Sequence, residues 1–192
     1  MRMSAAAAIR PWISPEDYLR DELAREIRHE YFAGEIFAMP ESTACHNYIV
    51  GNIFGSLHNQ LRGKRCEPFA NAMKAHIHTE GDDWFYYPDV MVNCDPAGQH
   101  EYFCDTPSVI VEVLSPSTET TDRREKRLAY EKIAALHTYA LVAQDRREVL
   151  IFRRKPGGGW SREVLPVAGD ALRVPELDFV LPLDAIYART GL

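Results

Sequence analysis

The sequence lacks a long hydrophobic run, since no apolar stretch approaches the roughly 20 residues that a membrane helix requires. The alanines at 5–8 follow Arg2, but they are too few to form the core of a signal peptide. We therefore expect no membrane partner and no export, and the predicted compartment is the cytoplasm.

Cysteine is scarce, and none of the four cysteines belongs to a Cys-x-x-Cys pair. This spacing argues against a zinc ribbon and against a thioredoxin-type redox motif. We expect all four to be reduced and mostly buried, as small apolar side chains. They are Cys45, Cys66, Cys94 and Cys104.

The chain also lacks a positive net charge. Its formal charge of −6 argues against an extended basic surface for non-specific nucleic-acid binding. Basic clusters at 123–127 and 146–155 are either solvated faces or a local phosphate-binding surface. No linker, repeat or low-complexity segment interrupts the 192 residues, which suffice to bury a core. We therefore predict a single domain over 1–192, with 1–12 as a flexible N-terminal tail.

Helical and strand periodicities alternate along the chain, which predicts an α/β fold. An N-terminal helix should begin at Ser14-Pro15 and reach about Arg28, and a hairpin should follow over 29–39. A second helix is expected from Ser42 or Thr43 to Gly63, a third over 122–135, and a helical turn near 182–188. Further strands are predicted at 66–78, 84–93, 109–114, 139–143, 148–153 and 160–165.

Two carboxylates stand in apolar strand sequences. Asp89 lies within Tyr86–Val92, and Glu112 lies within Val109–Leu114. An ionised carboxylate in such surroundings costs several kcal/mol unless a cation or hydrogen-bond donors compensate it. If the two strands are neighbours, both acids can project from one face and bind Mg²⁺ or Mn²⁺. The alternative is that each acid pairs with an arginine or caps a loop.

A lysine leads the apolar stripe of the third predicted helix. Lys126, Ala129, Tyr130 and Ile133 are spaced i, i+3, i+4 and i+7, so they share the inward face. The ammonium group of Lys126 could reach the carboxylates, where it would orient an attacking water or stabilise a phosphorane. The alternative is a snorkelling lysine, or an i, i+4 pair with Asp122.

Three motifs together resemble a large bacterial family of restriction-endonuclease-like proteins, which belongs to the PD-(D/E)XK phosphodiesterase superfamily. The motifs are Tyr87-Pro88-Asp89-Val90, the Glu-Val-Leu-Ser-Pro-Ser-Thr block at 112–118, and Asp122-x-x-x-Lys126-x-x-x-Tyr130. His29-Glu30-Tyr31-x-x-Gly34-Glu35-Ile36, His46 and the strand at 139–142 also match, so the resemblance covers about 14–155.

The resemblance implies a central mixed β-sheet flanked by α-helices, a divalent metal site and phosphodiester hydrolysis. Asp89 matches the Pro-Asp acid and Glu112 the (D/E) acid, with the Val113 carbonyl as a further metal ligand. The superfamily's lysine would fall at position 114, where this chain has Leu114. Lys126 on the next helix would then take its part.

Two further positions are candidates through the same resemblance. Glu35 is similar to the family's additional acid, as a second metal ligand or a water-mediated contact, and Glu30 is the alternative for that role. His46 begins the apolar face of the second helix, where it is either a site residue or a satisfied core histidine. Tyr86, Tyr87 and Tyr130 are expected to be core or rim residues.

The function predicted from these residues is that of a Mg²⁺-dependent endonuclease acting on DNA, with RNA open as a substrate. A homodimer is expected because cutting both strands needs two sites. The alternative is a nuclease-fold module that binds nucleic acid or a protein without cutting, which Leu114 and the acidic net charge favour. A third possibility is a scaffold whose buried acids pair with arginines.

Overall fold

The computed structural model describes residues 12–79, 81–115, 122–165 and 169–192. The expected N-terminal tail, except Trp12, and the Pro116-Ser117-Thr118 part of the central motif lie outside these ranges. The helices are α1 (Pro15–Glu22), α2 (Ala44–Leu61), α3 (Arg127–Tyr130) and α4 (Leu183–Ile186), with a π-helical segment, Asp122–Lys126, leading directly into α3.

Thirteen strands are described, in three sheets. They are β1 (His29–Phe32), β2 (Glu35–Ala38), β3 (Glu67–Ala70), β4 (Lys74–Thr79), β5 (Asp82–Tyr86), β6 (Val90–Asn93), β7 (Phe103–Cys104), β8 (Pro107–Leu114), β9 (Thr138–Ala143), β10 (Val149–Arg154), β11 (Trp160–Leu165), β12 (Ala171–Val174) and β13 (Phe179–Pro182). The large sheet has the order β11-β10-β9-β8-β6-β3 and the small sheet β2-β1-β5-β4-β7, while β12 and β13 form a pair.

The fold class predicted from the sequence is confirmed. The large sheet is mixed, because β8 and β9 run parallel and its other pairings are antiparallel. Every residue of β8 and β9 is buried, as the aliphatic composition of these central strands requires. One face of the sheet packs on α2 and the C-terminal elements, and the other packs on α3 and the small sheet.

The N-terminal hairpin forms as predicted, and the helix before it is shorter. The Ser14 hydroxyl caps α1 by accepting the Asp17 N–H, and Ala33 and Gly34 adopt positive φ at the tip of the hairpin. The helix ends at Glu22 instead of Arg28. Glu22 accepts the His29 N–H at 2.6 Å, so the chain turns into β1 and leaves Ile27 exposed.

The predicted strand at 84–93 is wrong, because it is two strands in different sheets. Pro88 has no N–H to donate to a ladder, so the chain leaves the small sheet at Tyr86 and enters the large sheet at Val90. The predicted strand at 66–78 divides in the same way, near Asn71 with its positive φ. Asp89 therefore lies at the junction of the two sheets, directly before β6.

The third predicted helix is also too long at its C-terminal end. The Arg154 guanidinium donates to the carbonyls of Glu131, Ile133 and Leu136 at 2.7–3.0 Å. Backbone groups that would otherwise need helical partners are thereby satisfied, and the chain turns toward β9. The inward face is nevertheless as predicted, since Lys126, Tyr130 and Ile133 are buried.

The expectation of four reduced cysteines is wrong. Cys66 and Cys94 form a disulfide at the end of the antiparallel β3–β6 pair, where Glu67 lies opposite Asn93. This pairing depends on the strand register, which the 28-residue separation in sequence does not reveal. Cys104 is buried and Cys45 half-buried, both as thiols. No helix among the described residues is long and apolar enough to cross a membrane.

Candidate active site at the sheet junction

Asp89 and Glu112 meet where the two sheets join. Val90 pairs with Val111 in the antiparallel β6–β8 ladder, so Asp89 comes next to Glu112. The Asp89 N–H donates to Glu112 Oε2 at 3.2 Å, and the Val113 N–H donates to Asp89 Oδ2 at 2.7 Å. Because the N–H and C=O of one strand residue point to the same side, the Val113 carbonyl faces this edge as well.

Lys126, the last residue of the π-helical segment, contacts two acids, Glu30 and Glu112. Its Nζ lies 2.7 Å from Glu30 Oε1, 3.5 Å from Glu112 Oε1 and 5.5 Å from the centroid of the Tyr86 ring. The lysine side chain is only 8% exposed. This ammonium group therefore compensates buried carboxylates, and the alternative of a snorkelling lysine does not describe it.

Tyr130 completes the shell around Glu112. Its hydroxyl donates to Glu112 Oε1 at 2.9 Å. Burial raises the pKa of Tyr130 well above its ordinary value, and the negative charges of Glu112 and Glu30 raise it further. The phenol thus stays protonated and acts as a donor. We expected only packing from Tyr130, although its i, i+4 spacing from Lys126 already placed both on one face.

The two candidate acids of the hairpin differ in position. Glu30 lies on the inner strand β1, where Oε1 accepts the Tyr87 N–H at 3.2 Å in addition to contacting Lys126. Glu35 lies on the edge strand β2 and is exposed, and its carboxylate forms no hydrogen bond or ion pair with the described residues. Its partner in the ladder is Phe32, so it projects on the same face as Glu30, toward the rim.

His46 approaches from α2. The Thr43 hydroxyl accepts the His46 N–H at the start of this helix, which fixes its first turn. The buried imidazole places Nε2 at 3.2 Å from Asp89 Oδ2. His46 is thus a core histidine that contacts a predicted site residue, and its buried Nδ1 has no hydrogen-bond partner among the described residues.

All of these side chains except Tyr130 line one cavity of about 700 Å³. Gln144, which follows β9, also lines it and accepts the Thr43 hydroxyl at 2.8 Å. The described wall carries one lysine and six carboxylates, namely Glu30, Glu35, Glu41, Asp89, Glu112 and Glu125. Such a wall repels a phosphate anion and attracts cations.

The mixed sheet, the junction carboxylates and the buried lysine define the class as a restriction-endonuclease-like fold. A solved structure from Anabaena variabilis ATCC 29413, described as "a putative nuclease belonging to DUF820", superposes with a TM-score of 0.74. The alignment covers 93% of this chain and 99% of that one at 18% identity, so it shows the fold alone.

The chain belongs to the Uma2 family, described as "Putative restriction endonuclease", whose profile matches residues 15–184. Two relatives come from Synechocystis sp. (strain ATCC 27184 / PCC 6803 / Kazusa). "Uncharacterized protein slr1290" is 34% identical over 179 residues and 92% of each chain. "Uncharacterized protein sll1609" is 30% identical over 135 residues, which is 69% of this chain and 75% of the relative. The family predicted from the sequence motifs is thereby confirmed.

Proposed function

We propose that the protein is a metal-dependent endonuclease that hydrolyses phosphodiester bonds in DNA. The observation that carries this proposal is the convergence of Asp89, Glu112 and Lys126 in one acidic cavity. Contacts of 2.7–3.5 Å join the Glu112 carboxylate to the Asp89 N–H and to Lys126, and the Asp89 carboxylate to the Val113 N–H. Membership in a family described as restriction endonucleases supports the same chemistry.

The donor set fits Mg²⁺ or Mn²⁺. These cations prefer oxygen ligands, and the junction offers the carboxylates of Asp89 and Glu112 with the Val113 carbonyl at the same edge. Among the described residues Asp89 Oδ2 carries the contacts to Val113 and His46, which leaves Oδ1 to a cation. A bound divalent cation supplies Lewis-acid chemistry, because it neutralises phosphoryl charge and acidifies water.

The residues around the two acids orient them and the water. His46 and the Val113 N–H fix Asp89, while the Tyr130 hydroxyl and the Asp89 N–H fix Glu112. Lys126, held by Glu30, orients the attacking water and stabilises the charge that develops on the phosphorane. Glu35, on the rim of the cavity, contacts the metal site through a water molecule.

The proposal includes a substrate, DNA, and an assembly, a homodimer. DNA is the proposed substrate, and cutting both strands requires two active sites, so we propose a homodimer. Such an enzyme would work in the cytoplasm, with the DNA it cuts.

Plasmid nicking by purified protein in Mg²⁺ or Mn²⁺ tests this proposal. We expect Asp89→Asn and Glu112→Gln to lower the rate by about 1,000-fold or more, since each removes metal-binding charge worth ~4 kcal/mol in the transition state. Matched controls are Asp21→Asn and Glu163→Gln, which change exposed acids away from the cavity. Equal cleavage by wild type and both junction variants would mean contamination and sink the proposal.

The second candidate is a nuclease-fold module that binds nucleic acid without cutting. Leu114, at the position of the superfamily's lysine, is buried in the core on the α3 side, with 4% of its surface exposed. Calorimetry separates the two candidates. Uptake of Mg²⁺ or Mn²⁺ that depends on Asp89 supports the enzyme, while no uptake at millimolar concentration favours the binding module.

A further inference from the structure

A second cluster of titratable side chains lies on the outer face of the small sheet. His76 and His78 alternate along β4, and Asp83 on β5 is the ladder partner of His78, so all three project from one face. His76 Nε2 and His78 Nδ1 each lie 2.8 Å from Asp83 Oδ1. None of these residues lines the junction cavity.

The ring of His76 is held in one orientation. It stacks on Phe85 with ring centroids 4.3 Å apart and planes 7° apart, and it meets the edge of Phe103 at 5.3 Å. Its Nδ1 lies 2.7 Å from Asp105 Oδ1, and the other oxygen of Asp105 contacts His100 Nε2 at 2.9 Å. A carboxylate that orients a histidine through the second ring nitrogen is the usual outer shell of a metal-bound imidazole.

When His76 is neutral, the donor count in this cluster leaves a place for a cation. Both nitrogens of His76 face carboxylate oxygens, but a neutral imidazole carries only one N–H. If that proton lies on Nδ1 and is donated to Asp105, then Nε2 turns a lone pair toward Asp83. A metal ion between Nε2, the His78 nitrogen and the Asp83 carboxylate removes this repulsion.

We propose that His76, His78 and Asp83 bind a Zn²⁺ ion, with Asp105 as the positioning residue of His76. The three ligand atoms lie within 4.8 Å of one another. Tetrahedral Zn²⁺ with bonds of about 2.0–2.2 Å needs ligand atoms about 3.3 Å apart, which small side-chain rotations achieve. Two nitrogens and one oxygen suit borderline Zn²⁺ better than Mg²⁺.

The exposure of the cluster fits an open coordination position. The side chain of His78 is 70% exposed, whereas those of His76 and Asp83 are 16% and 24% exposed. Three protein ligands leave the fourth position to water or to a donor from another molecule. The ion would tie β4 to β5 directly, and to β7 through Asp105.

Zinc titration of chelator-stripped, tag-free protein tests this inference. The titration uses an Asp89→Asn/Glu112→Gln background, so that zinc bound at the junction does not contribute. We expect one equivalent of Zn²⁺ to bind, and Co²⁺ to give the visible absorption of a four-coordinate site. His78→Asn and Asp83→Asn should abolish uptake, and Asp105→Asn should weaken it by about 10- to 100-fold.

His58→Asn is the matched control, because this exposed histidine on α2 is remote in sequence from the cluster and should leave the affinity unchanged. The circular dichroism of each variant shows that it folds. Stoichiometric uptake that survives His78→Asn, or a folded background protein that binds no Zn²⁺, would overturn the inference. Neither result bears on the nuclease proposal, since both concern protein that lacks the junction carboxylates.

Discussion

The protein carries two clusters of acids with basic partners, and the clusters differ in what compensates the negative charge. At the sheet junction Glu112 is buried and Asp89 half-buried, and the two are held by a lysine, a tyrosine, a histidine and backbone N–H groups. On the outer face Asp83 and Asp105 are half-buried and contact only imidazoles among the side chains described.

The difference shows how one small fold can offer two kinds of metal site. The junction presents oxygen donors in a cavity. These donors suit a hard cation, which can also coordinate a substrate phosphate. The outer face presents imidazole nitrogens on a sheet surface, which suits Zn²⁺. Each of the following predictions tests whether the two clusters differ in this way.

The largest effect is expected from Lys126, since the described junction contains no other ammonium group. Lys126→Met removes the cation beside the buried Glu112 and the half-buried Glu30, so it should lower the free energy of unfolding by about 3–5 kcal/mol. Cleavage should fall by about 100- to 10,000-fold where the variant remains folded. Urea unfolding and plasmid nicking measure the two effects.

The control for this change is Lys132→Met, which removes an exposed lysine over the Trp84 ring. It should cost no more than ~1 kcal/mol and leave cleavage intact. If Lys126→Met were as stable as this control, the lysine would be a surface group and its role as the charge partner of the junction would be wrong.

The next effect compares the two acids of the hairpin. Glu30→Gln weakens the contact that holds Lys126, so it should slow cleavage by about 10- to 100-fold. Glu35→Gln changes an exposed residue on the edge strand and should slow it by about threefold at most. Single-turnover rates of both variants in Mg²⁺ give the comparison, and the reverse order would make Glu35 the second metal ligand.

The sequence predicted the residues of the junction better than it predicted their surroundings. Asp89, Glu112 and Lys126 were found because charges in apolar patterns are costly and therefore conspicuous. The hairpin is equally well predicted by its turn residues, and the strand at 109–114 by an aliphatic run that only Glu112 interrupts. All three charged residues lie together in the structure.

Features that depend on strand pairing could not be predicted in this way. The crossing at Pro88, the second sheet and the Cys66–Cys94 disulfide follow from a register between segments distant in sequence. The choice between Glu30 and Glu35 depends on which strand of the hairpin is the inner one, and both have the same local pattern. His76 and His78 alternate along the strand predicted at 66–78, but their partner Asp83 lies between the predicted strands and has no predicted partner.

A contrast in reactivity is expected between the two free thiols, one beside each cluster. Cys104 is the last residue of β7 and directly precedes Asp105. Burial raises the pKa of its thiol to about 11. At pH 8 its thiolate population is then about 100-fold lower than that of a thiol with an ordinary pKa near 9, so alkylation should be slower by about that factor. Cys45, at the start of α2, is half-buried and should react first.

Mass spectrometry after timed iodoacetamide treatment measures both rates. Because the thiolate is the reactive form, alkylation of Cys104 should accelerate about tenfold per pH unit between 8 and 10, below its pKa. If Zn²⁺ ties β4, β5 and β7 together, adding it should slow Cys104 further and leave Cys45 unchanged. A Cys104 that reacts as fast as Cys45 at pH 8 would show that the outer face opens readily, and that burial does not protect this thiol.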